Sequence, residues 1–467
     1  MIADFIRDNI ASFFTFKPTD EQFSALNTLS DFLSSPDSSG VLLFKGYAGT
    51  GKTTMLSAVV KVMDQQHQKV ILLAPTGRAA KVFAEYSGHS AYTIHRKIYR
   101  QEKFSSGFSG FILTPNLHKD TLFIVDEASM ISNESTEKAV FGSGHLLDDL
   151  IQYIYSGDNC RLILMGDSAQ LPPVMLTESP ALHAAYLKRY LLQVTEIQLT
   201  QVVRQQEDSG ILVNATNLRN ALCTGKMDVF PSILTDQFAD IRKINGQELI
   251  EEISSAYSRD GIDHTIIICR SNKSANIYNN GIRNRILYRE EELSSGDRLM
   301  IVKNNYFWGK EQKDLDFIAN GEIVQVLRVR NMEELYGFRF CNVKVRFIDY
   351  ELETEFKILI DVLHTESPAL SNELNEQLFA SINESYADIR SKSERIKKIK
   401  DDPYFNAIQV KYAYAVTCHK AQGGQWNNVF LDIGYVTNER LGEDFYRWLY
   451  TAFTRATNRL YLVNWKF

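Results

Sequence analysis

The chain has 467 residues, 44% of them apolar and 23% charged, with a formal net charge of −6. That length exceeds what one hydrophobic core serves, so at least two domains are expected. The acidic balance argues against a protein that coats nucleic acid by bulk charge and leaves a local groove open. No uninterrupted apolar run approaches 18 residues, and the opening Met1 to Asp8 alternates charged with apolar residues, so neither a membrane span nor a secretory leader is predicted and the expected location is cytoplasmic. Five cysteines (Cys160, Cys223, Cys269, Cys341, Cys418) are scattered and odd in number, which favours reduced thiols over disulfides or a zinc site.

In chain order, the first strong signal is Val41-Leu42-Leu43-Phe44 running into Gly46-Tyr47-Ala48-Gly49-Thr50-Gly51-Lys52-Thr53 and then a helical stretch from Thr54. A buried strand that stops at glycine and hands over to a helix is the setting of a phosphate-binding loop, its backbone N–H groups from Ala48 to Thr54 turned toward one anion. Gly46, Gly49 and Gly51 are expected to supply positive φ and close backbone approach. Lys52 suits the β and γ phosphates, and the Thr53 hydroxyl suits Mg²⁺.

Further strands are predicted at Val70 to Ala74, Leu122 to Val125 and Leu162 to Gly166, short continuous apolar runs of the kind a parallel sheet buries on both faces. The third strand of the series runs into Asp126-Glu127. Carboxylates at the C-terminal edge of such a sheet lie where its ligands bind. Asp126 is expected to hold Mg²⁺, directly or through water, and Glu127 to orient and deprotonate a water. The next strand ends in Gly166-Asp167-Ser168-Ala169-Gln170-Leu171-Pro172-Pro173, where Gln170 on a proline-stiffened loop is placed to sense a γ-phosphate. Between these strands, residues 96–120 carry glycine and serine among Phe104, Phe108 and Phe111, which predicts a hairpin excursion.

A second α/β set is predicted from Thr265 to Cys269 and again from Tyr412 to Val416, Val429 to Asp432 and Leu460 to Val463. It is interrupted between about 296 and 362 by short alternating strands that read as a small antiparallel barrel. Residues 370–402 are polar and helical. They end in the basic run Lys392 to Lys400, read either as a solvated helix face or as a nucleic-acid contact.

At this point the chain resembles superfamily 1 DNA helicases of the RecD-like and Dda-like branch over nearly its whole length. Beyond the phosphate loop and Asp126-Glu127, the resemblance rests on Ala74-Pro75-Thr76-Gly77-Arg78-Ala79-Ala80-Lys81, Thr93-Ile94-His95, Gly166 to Val174, Leu199 to Gln205, Ala415-Val416-Thr417-Cys418-His419-Lys420-Ala421-Gln422-Gly423 and Leu449 to Ala456, in family order. It implies two RecA-like domains, 1–205 and 206–295 with 403–467, a duplex-splitting pin at 96–120 and an SH3-like barrel with helices at 296–402. It also implies ATP and Mg²⁺ as cofactors and single-stranded and duplex DNA as partners, with 5′ to 3′ movement.

By resemblance, Gln22 reads adenine, and Gln422 and Gly423 join the nucleotide site. Arg204 and Arg455, from opposite sides of a cleft, stabilise the transferring phosphoryl group. Pro75, Thr76, Thr93 and His95 of the first domain and Thr417 and His419 of the second resemble contacts to a single-strand backbone. The two histidines have a core or cap role as the alternative. Phe104, Phe108 or Phe111 stacks on the last base pair or packs under the insert. With Gln22 so near the start, no N-terminal region for partner docking is expected. An RNA-acting or non-unwinding translocase shares every motif named; a nucleotide-switched binding module is disfavoured by so complete a hydrolytic set.

Overall fold

The computed structural model describes residues 2–14, 17–103, 109–134, 141–203, 208–309, 317–350 and 352–465. The first domain is built on six strands: β1 (Gly40–Gly46), β2 (Lys69–Ala74), β3 (Ala91–Thr93), then, beyond a hairpin of β4 (Tyr99–Lys103) and β5 (Ser109–Leu113), β6 (Thr121–Val125), β7 (Arg161–Gly166) and β8 (Gln193–Leu199). They pair in parallel in the order β3-β2-β6-β7-β1-β8. The apolar runs explain the centre of this sheet, since Val41 to Phe44 are wholly buried between layers of helices. β3 and β8 escape the sequence reading because they lie at the edges and are only partly buried.

The second sheet contains β9 (Ile241–Ile244) and β10 (Thr265–Cys269) before the interruption. The interruption is a closed barrel of β11 (Arg298–Ile301), β12 (Ile323–Leu335), β13 (Phe338–Phe347), β14 (Glu353–Leu359) and β15 (Ile408–Tyr412). After it come β16 (Ala415–Thr417), β17 (Trp426–Asp432) and β18 (Ala456–Val463), and the parallel order is β16-β10-β17-β18-β9. The run Tyr412 to Val416, read as one strand, is therefore divided: Tyr412 ends the barrel and Ala415 begins a sheet strand. The barrel takes in 408–412, beyond the boundary at 402. Closure demands this, because β15 pairs with both β11 and β14 and leaves no open edge.

The helices Asn372–Ser385 and Lys392–Lys400 cover one end of the barrel through Leu378, Ile382 and Ile399, which pack with Phe340 and Val362. Lys392, Lys397 and Lys398 of the basic run face solvent. No helix among the described residues is long and apolar enough to cross a membrane. All five cysteines are free, and Cys223 is the exposed one.

The hairpin at 96–120 pairs Tyr99 with Leu113 and Lys103 with Ser109. Phe104 and Phe108, at its tip, lie outside the described residues. Phe111 is 4% exposed and meets Phe141, Tyr306 and Phe317 at ring separations of 4.7, 5.1 and 5.6 Å. Of the two roles open to Phe111, packing is the observed one, because it faces the segment leading from the barrel.

Candidate nucleotide cleft and strand contacts

The phosphate loop follows β1 and opens the helix Lys52–Gln65. Gly49 and Gly51 have φ of 75° and 87°, the left-handed region that glycine adopts without strain. Gly46 does not share it. A Cβ there would come within 2.8 Å of Lys52 Cγ, so its glycine serves close approach instead. Lys52 Nζ donates to the Tyr47 carbonyl at 2.8 Å, the Thr50 hydroxyl to the same oxygen, and the loop holds its curled shape by itself. Gln22 is buried beneath it. Its Nε2 donates to the Thr50 carbonyl at 3.0 Å, while its Oε1 accepts from Thr19 N–H in a capping box that opens the helix Asp20–Ser34.

Asp126 and Glu127 follow β6 at the floor of the cleft. The Asp126 carboxylate accepts from Glu127 N–H at 2.7 Å, and Glu127 adopts φ 52°, a left-handed conformation uncommon away from glycine. Burial, reinforced by the Glu127 charge, pushes the Asp126 pKa up to about 7; Lys52 and Arg455 pull against it. The residues fit Mg²⁺: hard oxygen donors at Thr53 and Asp126 suit the ion, and a buried carboxyl with a raised pKa gains most from a cation beside it. Arg455, 3% exposed, comes from the second domain. Its guanidinium lies 3.5 Å from Glu127 Oε1, oriented by bonds to the Thr451 and Gly424 carbonyls. A cavity of about 370 Å³ is lined by Lys52, Thr53, Asp126, Glu127, Gln170, Gly423 and Arg455. Arg204 lies outside the described residues.

Sequence reasoning did not assign the side chains that join the two domains here. The helix Glu443–Phe453 of the second domain lies along the Asp167 to Leu171 loop of the first. Tyr450 accepts from Ala48 N–H of the phosphate loop at 2.8 Å and donates to Asp167 at 2.6 Å. The Thr451 hydroxyl accepts from Leu171 N–H at 2.8 Å, and Arg447 donates to the carbonyls of Ser168 and Gln170. Gln422, expected at the nucleotide, instead donates from Nε2 to the Leu171 carbonyl at 2.7 Å and so holds the loop. Tyr450, Thr451 and Asp167 stood inside matched motifs, but only tertiary contact reveals what they bond. Gln170 is 7% exposed, and its Oε1 is buried without a partner among the described residues.

The strand-contact residues fall at the starts of helices. Thr76 caps Gly77–Ser87 and Thr93 caps Ile94–Ile98, each hydroxyl accepting from a backbone N–H. Thr417 precedes the short helix Cys418–Ala421 without a side-chain cap bond, and His419 is exposed. Gly423, at φ 73°, abuts Thr76: a Cβ would lie 3.2 Å from Thr76 Oγ1 and 2.8 Å from Ala79 Cβ. His95 differs from the other positions. It sits among Phe141, Tyr99 and Phe317, and burial lowers its pKa to about 4, so it is neutral near pH 7 and offers a hydrogen bond but no charge.

Fold and cleft together define a two-lobed phosphate-loop protein whose nucleotide cavity is lined from both lobes. Comparison with known proteins narrows this. A model described as an AAA domain matches residues 19–227, and one described as a UvrD-like helicase C-terminal domain matches residues 412–463. The uncharacterized protein R530 of Acanthamoeba polyphaga mimivirus is 24% identical, over 95% of this chain and 98% of its own length. The ATP-dependent RecD2 DNA helicase of Deinococcus radiodurans is 26% identical over 76% of this chain, which spans 47% of that protein. The ATP-dependent DNA helicase dda of Enterobacteria phage T4 is 26% identical over 60% of this chain and 61% of its own length. The chain is similar in sequence to superfamily 1 helicases of the RecD-like and Dda-like branch.

Proposed function

We propose that the chain is an ATP- and Mg²⁺-dependent DNA helicase that moves along single-stranded DNA and opens duplex. The observation that carries this reading is Arg455, delivered by the second domain to within 3.5 Å of Glu127 in the cleft of the first. A hydrolytic site completed across a domain boundary makes cleavage depend on closure, which is what a motor requires.

In this reading the loop N–H groups and Lys52 bind the phosphates, and Glu127 takes a proton from water as its oxygen bonds the γ-phosphorus. The bond from the γ-phosphorus to the bridging oxygen breaks, leaving ADP and inorganic phosphate. Arg455 faces the charge that develops, Arg204 is assigned the same role by resemblance, and the Gln170 oxygen accepts a hydrogen bond from the water. Thr53 and Asp126 would hold Mg²⁺, which would supply neutralising charge. Gln22 supports the loop in addition to reading adenine. Thr76 and Thr93 grip the strand from one domain and Thr417 and His419 from the other, so opening and closing shift the grip between them.

Polarity of 5′ to 3′ rests on the resemblance to the RecD-like branch. Steady-state ATP hydrolysis with and without single-stranded DNA or RNA, at two salt concentrations, is the test, paired with unwinding of matched DNA and RNA duplexes. Stimulation by DNA that weakens with salt, together with DNA unwinding, is the expected result. Hydrolysis indifferent to both polymers would displace this reading in favour of a nucleotide-switched module.

A further inference from the structure

A second cavity, of about 480 Å³, lies against the nucleotide cleft and has no part in the reading above. It opens between the helix Gly77–Ser87, the end of β13 and the second domain. Val82, Tyr86, Gln425 and Thr457 line both cavities. The two therefore meet at a shared wall, across which the Tyr86 hydroxyl donates to Gln425 Oε1 at 2.8 Å. Thr457 lies two residues beyond Arg455, and both line the nucleotide cavity, so the junction adjoins the side of the cleft from which Arg455 acts in that reading. Gln22 is under Thr50 and Gly51 of the loop.

The second cavity is basic in a particular way. Arg78 is matched by Asp349 at 3.2 Å, and Asp263 by Arg298 at 2.7 Å, so those charges are compensated. Lys81 and Arg346 bond neutral acceptors: Lys81 Nζ the Ile348 carbonyl at 3.0 Å, and Arg346 the Gln325 side chain at 2.7 Å. Against them the wall sets Glu85. A small dianion leaving the cleft here moves toward two cations, one of them an arginine whose fork suits phosphate oxygens. The diphosphate product meanwhile still occupies the loop.

We propose that this cavity is the exit route and transient binding site for the inorganic phosphate formed by hydrolysis, with the Tyr86–Gln425 hydrogen bond as its gate. The proposal rests on the hydrolase reading above. It makes phosphate leave before the diphosphate, along the helix whose first turn Thr76 caps.

The test follows single turnovers of the full chain with ATP, Mg²⁺ and single-stranded DNA, measuring cleavage by rapid quench and release by a fluorescent phosphate-binding protein. Arg346→Glu, at an exposed position, and the pair Lys81→Ala with Arg346→Ala are expected to leave cleavage unchanged and slow release by about fivefold or more, as removal of a steering field does. Trapped phosphate should then re-form ATP more often and carry more oxygen from ¹⁸O-labelled water, which a merely structural defect does not produce. In Tyr86→Phe the rate of phosphate release relative to that of cleavage should rise, and an unchanged ratio would remove the gate. Release that keeps step with cleavage in Arg346→Glu, as in the unmodified chain, with no rise in label, overturns the route. Absence of cleavage by the unmodified chain removes the hydrolase reading itself, and is told apart because no phosphate is then formed.

Discussion

The chain joins its parts in two contrasting ways. At the nucleotide cleft, Tyr450, Thr451, Arg447 and Gln422 of the second domain bond the backbone and carboxylate groups of two loops in the first. At the hairpin, Phe111, Phe141, Tyr306 and Phe317 form one aromatic cluster, and nearby the buried Glu322 of the barrel accepts from Arg96 at 2.7 Å. Directional bonds between polar groups can be exchanged for bonds to a ligand at little net cost, because each is worth only about 1 kcal/mol. An aromatic cluster has no such substitute and separates only by exposing its whole area. The contrast teaches that the cleft contains bonds a ligand can replace, whereas the hairpin is held to Tyr306 and Phe317 by apolar area; the barrel's own core is continuous with that of the second domain.

The largest effect should come from the cleft. Lys52→Ala or Glu127→Gln should lower hydrolysis by about 10³-fold, the range in which loss of a positioned base or preorganised charge falls, with Glu127→Gln still binding nucleotide. Substantial unwinding by either would break the assignment of the cleft. Next, Phe111→Ala should cost about 3–5 kcal/mol in chemical denaturation, the usual range for a buried phenylalanine. A loss below 1 kcal/mol would mean that the cluster does not bind the hairpin to the barrel. Phe108→Ala should reduce unwinding more than translocation if the segment is a pin; equal losses would argue for a packing role.

Tyr450→Phe leaves Ala48 N–H and Asp167 without a shared partner, and should weaken nucleotide-dependent closure by about 1–3 kcal/mol, read as a shift in the distance between dye labels on the two domains. An unaltered closure curve would make the cleft as rigid as the barrel junction. The smallest effect belongs to Glu322, whose pKa burial raises to about 7. A carboxyl raised above its unfolded value stabilises most when protonated, and that contribution is lost as pH rises through about 7. Relative to Glu322→Gln, the native chain should therefore lose about 1 kcal/mol between pH 6 and pH 8. A difference independent of pH would show that Arg96 keeps Glu322 ionised throughout.

Much of the site was legible in the sequence because its chemistry is local. Gly49, Gly51, Lys52 and Thr53 are adjacent in the chain and lie together whatever surrounds them. Asp126-Glu127 follows a buried strand and must emerge at its edge. Of the two properties expected at Gly46, close approach is present and positive φ is not, because spacing does not distinguish the two. The resemblance assigns Gln422 to the nucleotide along with Gly423, but the direction of one side chain depends on a loop about 250 residues away.

The sequence by itself determined the phosphate loop, the central strands of both sheets and the presence of a small barrel, since these depend on short-range pattern: apolar runs, glycine spacing and alternation. Tertiary structure alone decided that Tyr412 closes the barrel while Ala415 enters the sheet, that Phe111 is packed, and that Tyr450 bridges Ala48 to Asp167. Each of these turns on which groups from distant segments meet, and no local pattern in one segment encodes the partner that buries it or satisfies its hydrogen bonds.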